Sequence, residues 1–414
     1  LTNHSLAAIG YQEYSQRLAF GYGDPLPAGV VLVAATAHYS WEKIVRALGI
    51  GSNQLEYVPL DRQFRMDPDA LWERLRVLAH RRQAVLACVS VCGTTEESAV
   101  DLLDRVLEVR ARAERELGVT FHIHSDACYG GYAAAVTRGP DGARRSAAEI
   151  RKSLGNDWPS DEWVAAIAAL AEADSVTIDP HKMGYVPYSA GAILLRDGRA
   201  RSLVATDPPY LLPAQEPRSA SDLFLGRFIF EGSKPGAAAA AVWLSHKVLP
   251  LDRRGYGFLV ERTVAGARRL YRALCDADLA PFRVVPLPAP DINVVCWVMA
   301  HAGARTLAAL DEFNERVFVE MSLARPGGPP EYIITRTRLR SPMYDGAVEP
   351  VLERLGIGAA EWRKSGDAGL VVLRSVVMDP FLAEPAPAPD HVAGLIAALS
   401  RACAVALEAG GALR

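Results

Sequence analysis

The chain has 414 residues, of which 50% are hydrophobic and 22% are charged, and its formal net charge is -3 at pH 7. This length and composition allow two domains with a large core, whereas the absence of a long basic run disfavours nucleic-acid binding. No uninterrupted apolar run reaches the roughly 18 residues that cross a bilayer, so no membrane segment is expected.

The six cysteines are scattered along the chain and predict neither a disulfide framework nor a metal site. Cys88 and Cys92 are separated by three residues, but no second pair of Cys or His follows at the spacing of a zinc site. We interpret all six as reduced core residues, which is typical of a cytoplasmic protein.

Apolar runs alternate with amphipathic stretches along the first half of the chain. Continuous runs of Val, Ile and Leu are typical of strands that are covered on both faces. Strands are predicted at 30–36, 84–91, 120–125, 175–178 and 191–195, and helices at 1–20, 40–48, 67–82, 101–117 and 162–172. Residues 137–165 are interpreted as a polar insertion. This order predicts an α/β fold with a mainly parallel sheet and helices on both faces.

The pattern changes in the second half of the chain. Residues 206–222 contain four prolines and are predicted to form a long mobile loop, and long loops in compact domains are usually functional. Helices are predicted at 237–248, 256–275, 304–324 and 391–407, and short strands at 283–285, 293–299 and 369–377. We therefore predict a large domain over 1–280 and a smaller α+β domain over 281–414.

Chemically active side chains follow several of the predicted strands. Ligands bind such sheets beyond the carboxyl ends of the strands, where the sequence places His38, Thr95, Asp126 and the pair His181-Lys182. Burial disfavours the ammonium form of a lysine and makes its amine a better nucleophile, as a lysine that bonds to a carbonyl cofactor requires. In isolation, Lys182 is better explained as a solvated loop residue, and only other residues of the chain can change that interpretation.

The other strand-end residues have an ordinary alternative as well. Asp126 is an acid without a packing role; it needs a cationic partner, which a protonated pyridine nitrogen would provide. His38 could stack on an aromatic ring or be a core histidine, and Thr95 could bond a ring substituent or cap a helix. Ser233 precedes an Ala-rich helix, where it could bind phosphate or serve as a plain N-cap.

Taken together, these motifs resemble those of the group II pyridoxal-phosphate-dependent amino-acid decarboxylases, and bacterial tyrosine decarboxylases in particular. The segments 38–43, 93–95 followed by Asp101, 126–131 and 179–182 occur in the order of that family. Segments 179–191, 231–243 and 372–380 add to the likeness, which covers essentially the whole chain. The resemblance implies a fold-type I enzyme with a seven-stranded type of sheet, acting as a homodimer with active sites at the interface.

The resemblance also implies roles for individual residues. Lys182 resembles the Schiff-base lysine, Asp126 the partner of the pyridine nitrogen and His38 the ring-stacking histidine. Thr95, His181, Asp179 and Ser233 resemble cofactor-binding residues. Tyr188 matches a substrate-pocket tyrosine, Tyr210 the mobile-loop tyrosine that protonates the α-carbon, and Arg374 an arginine that meets the substrate carboxylate in some members.

Three features depart from the family pattern. The phosphate-binding turn of the family would precede Asn3, so we expect an N-terminal segment upstream of Leu1. The region 20–37 is shorter than in tyrosine decarboxylases, and Cys128 stands where alanine is more usual.

The expected reaction is α-decarboxylation of an aromatic L-amino acid, foremost tyrosine. Three alternatives remain open: oxidative decarboxylation–deamination to an aldehyde, which the presence of Tyr210 disfavours; decarboxylation of glutamate or another amino acid; and a non-catalytic relative.

Overall fold

The computed structural model describes residues 27–206, 225–231, 233–384 and 389–411, together with Glu13, Tyr14, Gln16, Arg17 and Phe20. Most of the helix predicted over 1–20 and most of the loop predicted over 206–222 lie outside these residues.

The strands of the described part form two sheets, and the larger sheet contains the first six strands. These are β1 (Val30–Ala34), β2 (Leu55–Val58), β3 (Val85–Val91), β4 (His122–Asp126), β5 (Ser175–Ile178) and β6 (Ala192–Leu195). Their order is β2-β1-β3-β4-β5-β6, with β6 antiparallel to β5 and all other pairs parallel. The mainly parallel sheet is confirmed, with six strands among the described residues instead of seven.

Eleven helices of the described chain surround the two sheets. They are α1 (Ser40–Ala47), α2 (Pro68–His80), α3 (Leu103–Leu117), α4 (Ala147–Leu154), α5 (Asp161–Ala168), α6 (Gly236–Val248), α7 (Tyr256–Asp276), α8 (Leu307–Glu320), α9 (Asp345–Leu355), α10 (Ala359–Ser365) and α11 (His391–Gly411). The predicted start of α2 is confirmed, since the Asp67 carboxylate accepts hydrogen bonds from the backbone N–H groups of Asp69 and Ala70.

The smaller sheet is antiparallel and has the order β7-β8-β10-β9. Its strands are β7 (Phe282–Pro286), β8 (Val294–His301), β9 (Thr335–Leu339) and β10 (Leu370–Val376). Helix α7 connects the two regions: Val260 and Val264 pack in the main core, and Leu270 and Leu274 pack in a second core under the small sheet. The domain division at residue 280 stays a prediction.

Several elements were missed in the sequence. Strands β2 (Leu-Glu-Tyr-Val) and β9 (Thr-Arg-Thr-Arg-Leu) are short and contain charged residues, so they lack the continuous apolar runs of β1 and β3. Residues 137–165 are not a featureless insertion, because they contain α4 and the start of α5. The capping box of α4, formed by Ser146 and Glu149, is a helix-start signal that the sequence carries.

Two expectations about composition need correction. Cys275 is exposed and Cys128 is only partly buried, while Cys88, Cys92, Cys296 and Cys403 are buried, and all six are free thiols. Helix α11 is long and apolar enough to cross a bilayer by length and composition, although its Leu399 and Cys403 are buried in the second core. The core helix of a soluble protein can have the same length and composition.

Candidate active site

The carboxyl edge of the large sheet brings together three of the predicted site residues. His38 follows β1, Asp126 ends β4 and Lys182 follows β5. Burial lowers the pKa of the His38 imidazole; the nearby Asp126 carboxylate acts against this effect and the Lys182 ammonium adds to it. His38 is therefore close enough to both Asp126 and Lys182 to feel their charges, although His38 and Asp126 are 88 positions apart and Asp126 and Lys182 are 56 positions apart in the sequence.

Lys182 lies in a compact turn that directly follows β5. The turn is held by backbone hydrogen bonds from Lys182 N to Asp179 O (2.9 Å), Tyr185 N to Lys182 O (3.1 Å) and Val186 N to Pro180 O (3.1 Å). The Lys182 ammonium lies 3.1 Å from the Asp179 carboxylate. Asp179 thus orients the Lys182 amine through this ion pair.

The back of this turn is fixed by aromatic residues of the core. The Tyr256 hydroxyl donates a hydrogen bond to the Gly184 carbonyl at 2.7 Å. A Cβ atom at Gly184 would lie 2.5 Å from the Pro180 carbonyl oxygen and 2.6 Å from the Tyr132 ring. Only glycine therefore allows the turn to pack this closely, and the position of Lys182 is rigidly set.

Asp126 is anchored by two donors. The Trp41 indole N–H donates to Asp126 Oδ2 at 3.2 Å, and the backbone N–H of Cys128 donates to Oδ1 at 3.3 Å. Trp41 comes from α1, directly after His38, so one short segment supplies both the histidine and a support for the carboxylate. Each carboxylate oxygen accepts two or more hydrogen bonds, which leaves Asp126 able to accept another from a cationic donor.

His181 and Tyr188 lie against each other beside the lysine. Their ring centroids are 4.2 Å apart, and the His181 Nδ1 atom lies 2.5 Å from the Ala190 carbonyl oxygen. Its Nε2 atom is 3.6 Å from the Asp179 carboxylate. Tyr188 is 80% exposed, so its hydroxyl faces open space at the edge of the site.

Thr95 and His38 both line a cleft of about 270 Å³. The cleft is also lined by Tyr344 and by the guanidinium groups of Arg338 and Arg340. The structure therefore places Thr95 and His38 on one cleft, which Lys182 and Asp126 do not line.

Arg374 binds the loop that carries Thr95. Its guanidinium donates to the carbonyl oxygens of Thr95 and Glu96, the latter at 3.0 Å, and to the Thr335 hydroxyl at 3.3 Å. In this structure Arg374 therefore fastens the loop to the small sheet.

Two predicted site residues are not brought into this group. Tyr210 lies outside the described residues. Ser233 is exposed and lies just before α6, whose N-cap is Pro235, with no side-chain cap; the plain N-cap role weighed for Ser233 is not observed.

Sequence reasoning gave no role to three residues that support the site. Trp41 bonds Asp126, while His124 and Thr177 bond each other beneath it at 3.3 Å. The signal for His124 was present in the sequence, because the alternation His-Ile-His-Ser-Asp of β4 places His122, His124 and Asp126 on one face.

Comparisons with known proteins agree with this arrangement. Residues 23–145 match the pyridoxal-dependent decarboxylase conserved domain, and residues 266–401 match the C-terminal domain of tyrosine decarboxylase. Lys182 lies between the two matched stretches.

Among curated proteins, the chain is 36% identical over 366 residues to L-tyrosine decarboxylase of Enterococcus faecium, covering 86% of this chain and 59% of the relative. It is also 36% identical over 367 residues to L-tyrosine decarboxylase of Levilactobacillus brevis, covering 86% of this chain and 58% of that relative. The chain thus spans less than two thirds of the length of these relatives.

Solved structures show the same fold. The crystal structure of mouse CSAD aligns with a TM-score of 0.64 and 18% identity, covering 96% of this chain and 68% of that one. The structure of Oryza sativa TDC with PLP and tryptamine aligns with a TM-score of 0.62 and 18% identity, covering 95% and 66%. The chain thus carries, in order along one fold, a stretch that matches the pyridoxal-dependent decarboxylase conserved domain and a stretch that matches the C-terminal domain of tyrosine decarboxylase.

Proposed function

We propose that this protein decarboxylates an aromatic L-amino acid, with L-tyrosine as the first candidate, using pyridoxal phosphate held at Lys182. The observation that carries the proposal is the convergence of Lys182, Asp126 and His38 at the carboxyl edge of the sheet. The identity of 36% to two L-tyrosine decarboxylases supports the choice of substrate.

The donor set fits the cofactor. Asp126 has capacity for a cationic N–H such as a protonated pyridine nitrogen, and the Lys182 amine stands beside it at a neighbouring strand end. When bound, pyridoxal phosphate supplies an aldehyde that bonds to amines and a ring that takes up the electron pair left by the departing carboxylate.

The chain's own residues have separate tasks in this proposal. Lys182 holds the cofactor and releases the product amine, Asp126 keeps the ring nitrogen protonated, and His38 covers one face of the ring. Tyr210 delivers a proton to the α-carbon after carbon dioxide leaves.

Four further residues bind the cofactor: Thr95, Asp179, His181 and Ser233. Asp179 pairs with the Lys182 ammonium before the cofactor arrives, and the exposed hydroxyls of Thr95 and Ser233 are donors for a ring substituent and for the phosphate.

Tyr188 and Arg374 are assigned to the substrate. Tyr188 offers an aromatic ring and a hydroxyl to an aromatic side chain. Arg374 would bind the substrate carboxylate through N–H donors that its backbone contacts leave over, since a guanidinium carries five.

Loss of Lys182 is the decisive test. The protein loaded with pyridoxal phosphate is reduced with borohydride, and mass spectrometry then locates the pyridoxyl group. We expect it on Lys182, and we expect Lys182→Ala to lose both the label and decarboxylase activity. Lys152→Ala, at an exposed lysine of α4, is the control that keeps both. Turnover by Lys182→Ala would overturn the proposal.

The substrate is tested with an amine-product screen against the common L-amino acids. We expect tyramine from L-tyrosine as the main product. Release of an amine from glutamate or aspartate instead would indicate an acidic substrate. Aspartate is included because a relative that is 27% identical, from Methanothermobacter thermautotrophicus, is named a probable L-tyrosine/L-aspartate decarboxylase. Ammonia or peroxide release would indicate oxidative deamination.

We also propose that the protein is a homodimer. Every residue of β6 is exposed, with Ile193 at 62% and Leu194 at 55%, and α6 exposes Trp243 at 63% and Leu244 at 58%. Exposed apolar surface of this extent indicates a protein interface. We expect light scattering of the wild-type protein to give twice the mass of one chain, and Trp243→Glu to lower the measured mass toward that of a monomer. A monomeric wild-type protein would contradict the proposed dimer.

A cytoplasmic location is the remaining part of the proposal. It is supported by the six cysteines, all free, because reducing compartments keep thiols unpaired. Fractionation of the source cells tests it.

A further inference from the structure

Two tyrosines of the main core contact the turn that carries Lys182. The Tyr256 hydroxyl donates to the Gly184 carbonyl at 2.7 Å, and Gly184 is buried two positions after Lys182. A Cβ atom at Gly184 would lie 2.6 Å from the Tyr132 hydroxyl oxygen, so the second tyrosine packs directly against the same residue. Tyr256 is 0% and Tyr132 is 4% exposed, and their ring centroids are 4.7 Å apart.

Both tyrosines also contact helix α6. The Ser245 hydroxyl lies 2.5 Å from the Tyr256 hydroxyl, and His246 Nε2 lies 2.9 Å from the Tyr132 hydroxyl. None of the 13 residues of α6 is buried, and its Trp243 side chain is 63% exposed. Ser245 and His246 therefore give this lightly packed helix hydrogen bonds to the core behind the lysine turn.

The hydrogen bonds from α6 to the turn have a fixed order. A hydroxyl has one hydrogen to donate, and a carbonyl can only accept. Because the Tyr256 hydroxyl donates to Gly184, the Ser245 hydroxyl must donate to Tyr256. We call this series from Ser245 through Tyr256 to the Gly184 carbonyl the hydroxyl chain. Consecutive hydrogen bonds polarise one another, so Ser245 strengthens the bond that Tyr256 makes to the turn.

Tyr256 itself is held firmly at the start of α7. Its backbone N–H donates to the Pro250 carbonyl at 3.0 Å. The next residue, Gly257, lies so close to the segment after Tyr132 that a Cβ atom there would be 2.6 Å from the Ala135 carbonyl oxygen. The Tyr256 hydroxyl is therefore a fixed point against which the turn is placed.

These buried hydroxyls have an ordinary explanation as parts of the core. Packing alone needs only an apolar ring, however, and phenylalanine in place of Tyr256 would fill the same space. The backbone N–H groups of Lys182 and Tyr185 donate to carbonyls of the same turn, so these bonds shape the turn without placing it against α7. The Tyr185 hydroxyl, which donates to the Met378 carbonyl at 2.8 Å, is a further contact outside the turn.

We propose that Tyr256 and Ser245 are positioning residues for Lys182. The hydroxyl chain fixes the Gly184 carbonyl against α7, and through the backbone of the turn it keeps the lysine amine beside the Asp179 carboxylate. Both residues act through the turn and not on the reacting groups. The inference rests on the proposed function, in which Lys182 holds pyridoxal phosphate and later releases the product amine.

The first experiment uses the cofactor-free chain and does not depend on the proposed function. Amide hydrogen exchange measures how often the turn opens, because the backbone N–H groups of Lys182 and Tyr185 are hydrogen-bonded within it. We expect Tyr256→Phe to speed their exchange roughly 10-fold, since the buried Gly184 carbonyl loses its donor. Exchange in the turn as slow as in the wild type would overturn the proposal.

Tyr271→Phe is the matched control for hydrogen exchange. It removes a hydroxyl from the same helix, roughly 22 Å further along the helix axis. The turn should then exchange as it does in the wild type. An equal increase in Tyr271→Phe and Tyr256→Phe would refute a specific hold of the hydroxyl chain on the turn.

The second experiment tests the order of the hydroxyl chain with pyridoxal phosphate. Stopped-flow absorbance gives the rate at which the added cofactor bonds to Lys182. We expect Tyr256→Phe to slow this rate roughly 10-fold, because a small displacement of a reacting group has an effect of that size or more, and Ser245→Ala to slow it less. The double variant should be no slower than Tyr256→Phe alone, since Ser245 acts only through the Tyr256 hydroxyl.

Independent residues would give a different result in the double variant, because their effects on the rate would multiply. A double variant slower than Tyr256→Phe by the full factor of Ser245→Ala would therefore contradict the hydroxyl chain, as would a wild-type rate in Tyr256→Phe. A wild-type protein that forms no bond between pyridoxal phosphate and Lys182 would refute the proposed function alone. Hydrogen exchange in the turn would still decide the positioning role of Tyr256.

Discussion

Strands β1 and β4 lie in the same mainly parallel sheet with one strand, β3, between them, yet their side chains differ in polarity. β1 reads Val-Val-Leu-Val-Ala, and no residue in it is more than 5% exposed. β4 reads His-Ile-His-Ser-Asp, with Ile123 and Ser125 on one face and ionisable groups on the other. A central strand can thus be polar on one face, provided that neighbouring elements offer a partner for each group.

The two strands also have different relations to the site. The buried apolar side chains of β1 fix the position of the strand end, and therefore the position of His38. The polar face of β4 reaches from the surface to Asp126. Packing of apolar side chains stabilises β1, whereas hydrogen bonds stabilise the polar face of β4. Substitutions in the two strands can therefore distinguish the two kinds of stabilisation.

The largest effect is expected for Leu32→Ala in β1. Leu32 is 0% exposed, and loss of a buried leucine costs about 2–5 kcal/mol of the free energy of unfolding. Urea unfolding followed by circular dichroism measures it. Val77→Ala, at a position 39% exposed, should change stability by less than about 0.5 kcal/mol; equal losses at both positions would contradict the assignment of β1 to the core.

Glu97 tests what happens when a buried acid lacks a full set of partners. Burial raises its pKa to about 8 from 4.5, and its Oε1 atom has no partner among the described residues. The folded state therefore holds a proton that the unfolded state loses, and stability falls as pH rises from about 4.5 to 8.

Glu97→Gln should remove this part of the pH dependence. One proton contributes at most about 1.4 kcal/mol per pH unit to the slope. Urea unfolding at several pH values between 5 and 8 compares the two proteins, with Glu96→Gln as the neighbouring control. A slope that Glu97→Gln leaves unchanged would show that Glu97 is ionised in the folded protein.

Thr177→Val tests the hydrogen bonds of the β4 face. The change keeps the shape of the side chain but leaves His124 Nε2 without its partner at 3.3 Å. Leaving one buried polar group unpaired costs about 1–3 kcal/mol, measured again by urea unfolding. A neutral result would mean that Thr177 and His124 do not depend on each other for stability.

The smallest effect is expected for Thr36→Val, directly beyond β1. Thr36 is 3% exposed, and its hydroxyl has no partner among the described residues. Removing it should change the free energy of unfolding of the cofactor-free chain by no more than about 0.5 kcal/mol. A loss as large as that of Thr177→Val would reveal a hidden partner and erase the contrast between the two strands.

The sequence alone determined the strand-helix alternation, the parallel sheet and the residues at its carboxyl edge. It did so because runs such as those of β1 and β3 are long, continuous and apolar, and because the motifs around His38, Asp126 and Lys182 are local in the chain. It missed β2, β9, α4, α9 and α10, because these elements are short and lack the long apolar runs of β1 and β3.

Only the tertiary structure decided how the site residues are held. Trp41 donates a hydrogen bond to Asp126, and Asp179 forms an ion pair with Lys182. Arg374 donates hydrogen bonds to backbone carbonyls of the loop that carries Thr95. The contacts between β4 and β5 belong here too: the periodicity of β4 shows which side chains share a face, but the register with β5 gives His122 and His124 their hydroxyl partners. Pairing between residues about 50 positions apart is set by packing of the whole sheet, so no local pattern in the chain encodes it.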